Sequence, residues 1–192
     1  MLSLLFACAT ATDPTDTATA GDTADSGAAG PVVTWYTGTS DGQTPDGSYV
    51  QPTEGLLFIR TLDATAGTIT EEVWSEGKPT WSHDVLVHAV DADAGTFTST
   101  WVTEDGTLGI VGAFDAGEPW AWTAWHSTST YSDGDYLGTR IDSADTVDDA
   151  GAVHTTKSMF DADGKDLWDM VELLTPTTED AFNAALAEIK VE

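Results

Sequence analysis

Thr96-Phe97-Thr98-Ser99-Thr100-Trp101-Val102-Thr103, then Glu104-Asp105-Gly106, then Thr107-Leu108-Gly109-Ile110-Val111-Gly112-Ala113-Phe114 is the stretch that decides the fold. Successive side chains of a strand point to opposite sides. Phe97 and Trp101 therefore share one face, and Thr96, Thr98 and Thr100 share the other. The Asp-Gly between the runs is turn chemistry. Aspartate accepts backbone hydrogen bonds, and glycine supplies the positive φ at which a chain reverses. Run, tight turn and returning run make an antiparallel hairpin.

The same punctuation extends in both directions. Asp63-Ala64-Thr65-Ala66-Gly67, Asp91-Ala92-Asp93-Ala94-Gly95, Asp115-Ala116-Gly117, Ser132-Asp133-Gly134-Asp135, Asp148-Asp149-Ala150-Gly151 and Asp161-Ala162-Asp163-Gly164 all separate runs rich in Thr, Val, Trp and Phe. These residue types suit a pleated, half-buried surface. The predicted strands are Leu56–Leu62, Thr68–Ser75, Trp81–Val90, Thr96–Thr103, Thr107–Phe114, Trp120–Ser129, Tyr136–Ser143, Ala152–Phe160 and Lys165–Leu174, with another around Val32–Tyr36. Short links make consecutive strands neighbours. The fold class is all-β, an antiparallel meander of about nine or ten strands closing into a barrel, which removes sheet edges. Strict alternation puts Trp120, Trp122, Ala124 and His126 on one face of their strand and Trp125 on the other. Phe182, Leu186 and Ile189 have helical spacing. A C-terminal helix over residues 178–190 is expected, opened by a capping-box pair, Thr177 with Asp180, and packed on the sheet or plugging one end of it.

Residues 9–30 carry no aromatic and no large aliphatic side chain, so they cannot offset the entropy of ordering and read as a tether. The folded body is then 31–192. Residues 1–8 are an apolar run ending in the one cysteine of the chain, and Leu5-Phe6-Ala7-Cys8 resembles the lipobox of bacterial lipoproteins. That resemblance implies a signal-peptide remnant over 1–8 and acylation at Cys8. It also implies secretion across the inner membrane and a lipid-anchored place in the cell envelope, on the outer membrane or the periplasmic side. The run is too short to span a bilayer, which takes about 20 apolar residues. With 33 Asp+Glu against 6 Lys+Arg, the formal net charge is −27. Such a chain repels nucleic acid and anionic headgroups, so membrane contact would come through the anchor alone. Composition does not set the oligomeric state.

The body from Thr34 onward, with Trp35-Tyr36-Thr37-Gly38 at its start, a run of hairpins and Asp-Gly turns, resembles the calycin-type barrels, the lipocalin-like and fatty-acid-binding-like domains. The resemblance implies a cavity for one small, mostly apolar molecule. Trp81, His83, Trp101, Trp120, Trp122, His126, His154 and Trp168 are the candidate ligand-binding residues.

His83, His126 and His154 would suit zinc or haem iron if their strands turned them inward together; hydrogen-bonded histidines are the simpler reading. Asp91-Ala92-Asp93 and Asp161-Ala162-Asp163 space carboxylates as calcium loops do, but lack a complete ligand set and read as hairpin turns. No strand-to-helix nucleophile elbow is assigned, and the cysteine lies in the anchor. No catalytic residue, cofactor or metal is therefore assigned. Three functions follow in order: a non-catalytic carrier of a small apolar ligand, an enzyme using a His–carboxylate pair in the same cavity, and an envelope interaction module without a cavity.

Overall fold

The computed structural model describes residues 30–51, 54–76, 81–103 and 105–189. Cys8, most of the 9–30 tether and the end of the expected 178–190 helix lie outside the described residues. The strands are β1 Val32–Gln43, β2 Glu54–Asp63, β3 Thr68–Glu76, β4 Trp81–Asp91, β5 Thr96–Thr103, β6 Gly106–Glu118, β7 Ala121–Tyr131, β8 Arg140–Val147, β9 Val153–Phe160 and β10 Asp166–Thr177. Each is antiparallel to its neighbours, and β1 pairs with β10 to close a ten-strand barrel. One helix, α1 Glu179–Leu186, follows.

The turn residues act as their chemistry requires. Asp63 and Asp91 each accept an N–H three residues on, from Ala66 and Ala94 at 2.8 and 2.9 Å. Gly67 and Gly95 then take φ of 67° and 65°. Asp161 accepts from both Asp163 and Lys165 N–H, so the oxygen a cation would need already closes a turn.

β2 shows why the sequence gives two cores. Leu56, Leu57 and Phe58 are consecutive and all buried, the mark of a strand covered on both faces. Leu56, Phe58 and Leu62 point into the barrel, where they join Tyr36, Ile69, Val73, Leu86, Phe97, Ile110, Trp122, Trp125, Val153 and Leu174. Leu57 points outward and meets Trp74 and Phe182. Helix α1 thus lies against the outer wall over β1 to β3, with Phe182 fully buried, and does not plug an end. Its N-cap is Thr178, one residue later than expected, whose hydroxyl accepts the Ala181 N–H.

Two sequence expectations shift. The strand expected over Tyr136–Ser143 starts late: Gly138 at φ 83° turns the chain, Gly138 N–H donates to Tyr131 O, and β8 runs Arg140–Val147. Alternation fails in β7. Asp115 on β6 and Thr123 on β7 fall where the pairing register shifts. Each extra residue reverses the facing of what precedes it. Trp122 and Trp125 consequently both point inward, not to opposite faces.

The wall is uneven at one place. β3 and β4 pair from Thr68↔Ala89 to Glu76↔Trp81, and β5 and β6 pair along the whole of β5. Among the described residues, β4 and β5 pair only at Ala89↔Thr98, Val90↔Phe97 and Asp91↔Thr96. Beyond Ala89 no pairing joins the two strands among the described residues, which leaves an unpaired seam between Asp84–His88 and Ser99–Thr103.

Candidate functional site

The barrel interior holds the densest chemistry, and most of it is charged. Arg60 on β2 and Glu71 on β3 are cross-strand partners with inward side chains and no surface open to water. Arg60 Nη2 donates to Glu71 Oε1 at 2.8 Å. His88 Nε2 lies 3.4 Å from Glu71 Oε2, also fully buried, and since a carboxylate only accepts, that nitrogen carries the proton. The Arg60 guanidinium sits among three rings: Phe58 at 5.5 Å, Trp125 at 5.9 Å and Tyr36 at 6.0 Å from their centroids. β7 stands five strands from β2 in either direction round the barrel, so the Arg60–Trp125 contact bridges opposite walls.

A second cluster faces it. Lys157 Nζ on β9 donates to Glu172 on β10 at 3.0 Å. Asp145 on β8 accepts from the hydroxyls of Thr155 and Ser143. Burial holds the Asp145 carboxyl well above the ordinary value of 3.8. The Thr155 hydroxyl and the Lys157 ammonium pull it down, while Glu172 and Glu71 push it up further. Burial likewise raises the Tyr36 phenol against the opposing pull of Arg60. Two of the chain's 6 cationic residues are thus spent inside the barrel, each on a glutamate.

Below these charges the interior is aromatic. Phe114 stacks on Trp122 at 3.7 Å and 8°, Trp120 lies 5.4 Å from Trp122, and Phe97 lies 5.1 Å from Phe114. His88 meets Phe97 edge-on at 5.4 Å, which joins the aromatic layer to the charged one.

The sequence-selected residues divide between lumen, rim and outer wall. Trp101 and Trp122 belong to the interior cluster. Trp120 lies at the β6–β7 turn, not in the strand, with a φ of 65° that non-glycine residues rarely adopt. Trp168 covers Gly42 at the far rim and packs against Tyr49 at 5.6 Å. Trp81 and His83 face outward. His83 stacks on Trp74 at 4.3 Å and lies 3.5 Å from Glu72. His126 and His154 are also outside, their side chains 57% and 54% exposed, paired with Asp115 at 2.9 Å and Asp148 at 3.1 Å. The inward convergence of His83, His126 and His154 does not occur, because β4 turns its even-numbered residues inward, while β7 from Trp125 onward and β9 turn their odd-numbered ones. His88 is the inward histidine, and no metal-binding cluster forms among the described residues. Asp148 titrates below the carboxylate norm, chiefly through its hydrogen bond with His154.

The residues that sequence reasoning missed are Arg60, His88, Asp145 and Lys157. Arg60 had a signal: a lone arginine directly after Leu56-Leu57-Phe58-Ile59 in a chain almost without cations. Among the described residues, hollows open at Asp41–Gln43, Val50 and Asp169–Val171, around Gly109, and over the β4–β5 pairing at Val90 and Phe97.

No family model matches the chain, and no curated protein matches it. Among solved structures, the tesB protein of Mycobacterium avium subspecies paratuberculosis is 9% identical, with 79% of this chain and 81% of that one covered at a TM-score of 0.22. A superposition that loose carries no argument.

Proposed function

We propose that this chain is a lipid-anchored protein of the bacterial cell envelope, held through Cys8, whose calycin-like barrel is a rigid, non-catalytic interaction module. The observation that carries the reading is the lumen crossed at Arg60. Arg60 reaches from β2 to Trp125 on the opposite wall, and Tyr36, Phe58, Arg60 and Glu71 expose nothing to water. A carrier of this strand number leaves its middle open for a ligand. Here a ligand would have to break an ion pair whose members are costly to leave alone. The same burial argues against catalysis at Glu71 and His88, since a substrate must reach the acid or base that serves it.

The test has two arms. Tryptophan fluorescence titrated with fatty acids, retinoids and haem is expected to show no saturable change. Cys8→Ser is expected to move the protein from the membrane to the soluble fraction of a bacterial host. A saturable ligand response overturns the module reading, and an unchanged fractionation overturns the anchor.

The carrier remains the second reading. It draws support from the aromatic layer of Phe114, Trp122 and Phe97 next to the hollow at Val90. A saturable apolar ligand that quenches Trp122 would select it.

A further inference from the structure

We infer that the seam between β4 and β5 is a strand-acceptor site for an extended, positively charged segment of a partner protein. The inference rests on the interaction-module reading and names the partner's chemistry.

The first ground is the backbone. β4 is held straight by pairing with β3 as far as Trp81, and β5 by pairing with β6 as far as Thr103. On their facing sides, pairing stops at Ala89↔Thr98 among the described residues. Asp84–His88 and Ser99–Thr103 therefore present two ordered edges without a strand between them. A row of exposed N–H and C=O groups is a template for another strand. An edge of this length suits a segment of about five or six residues.

The second ground is what the edges lack. Natural edges are blunted by lysine, proline or a bulge. Neither β4 (WSHDVLVHAVD) nor β5 (TFTSTWVT) contains lysine, arginine or proline. No register shift accompanies their pairing with β3 and β6.

The third ground is the side chains. Val85 and Val87 on one lip are each 51% exposed, and Val102 on the other is 74% exposed. All three point outward, where an added strand would place its own side chains beside them at cross-strand spacing of about 5 Å. Trp101 lies half-buried behind the β5 lip.

Charge selects the occupant. Asp84 lies on the β4 edge, and Glu72 is the cross-strand partner of Val85. A second copy would bring another −27 to the contact. The chain's own N-terminal stretch carries Asp13, Asp16, Asp22 and Asp25, so it too is acidic. A basic segment gains from this field and associates faster through it.

The test uses the full chain and three short synthetic peptides: alternating valine and lysine, the same peptide N-methylated on alternate amides, and alternating valine and glutamate. The expected result is saturable binding of the lysine peptide, with slowed amide hydrogen exchange at residues 84–88 or 99–103. N-methylation and glutamate are each expected to weaken it about tenfold or more, equivalent to about 1.4 kcal/mol. Val87→Lys and Val102→Lys, both at exposed positions, are expected to weaken binding similarly while the unfolding midpoint stays put.

The inference is overturned by any of four outcomes. No peptide binds; or the glutamate peptide binds equally well; or the seam amides are already protected in a concentration-dependent dimer; or they are protected until residues 1–29 are removed. A failure here leaves the crossed-lumen reading standing. A lumen ligand found by fluorescence defeats that reading without moving the seam amides.

Discussion

Arg60 and Glu71 show how a single residue governs this interior. Each has lost all of its water, and each is compensated by the other and by neighbouring rings and histidine. Arg60→Met or Glu71→Gln leaves an uncompensated buried group and is expected to cost about 3–5 kcal/mol in urea unfolding. Asp145 gives a pH signature. Its carboxyl is raised in the folded state, so the fold binds that proton more tightly than the unfolded chain does. The stabilisation is complete below the unfolded value near 3.8 and is lost as pH rises towards the folded value. Asp145→Asn, which keeps the neutral shape, is expected to be more stable than the parent at neutral pH and to flatten this decline. Melts across the pH range check it. Gly112 is set by contact: a Cβ there would stand 2.1 Å from the Phe97 ring on the neighbouring strand. Gly112→Ala is expected to cost about 1–3 kcal/mol through overpacking.

At the scale of elements, helix α1 is a lid on the outer core and not a stopper. Phe182→Ala removes its buried anchor and is expected to cost about 3–5 kcal/mol. Thr178→Ala removes its cap and is expected to cost about 1 kcal/mol, and thermal melts of the pair give the ratio. Most elements were legible because Asp and Gly mark turns by local chemistry, which needs no knowledge of the rest of the chain. Strand facing was legible only where pairing is regular. In β5, Phe97 and Trp101 both lie on the inner side, as alternation requires. In β7 the irregularity at Asp115 and Thr123 is a tertiary event, and Trp122 changed face with it. The partial pairing of β4 with β5 could not be read at all, since both strands carry ordinary β-forming residues along their full length.

At the scale of the molecule, the barrel was legible and its contents were not. Counting turns gives the number of strands. Whether a cylinder is hollow depends on which long side chains cross it. The histidines misled for the same reason. Their spacing along the chain says nothing about which parity is inward, and three of the four went to the surface beside acids.

The β1–β10 pairing has one more consequence. A closed ring of strands has no intrinsic first member, so the architecture does not require the polypeptide to enter it at β1. Joining the segment after Ile189 to Gly30 through a flexible linker and opening new termini in the hairpin at Asp46-Gly47 should yield a rearranged polypeptide with the same cylinder. Its far-ultraviolet spectrum is expected to overlay that of the parent.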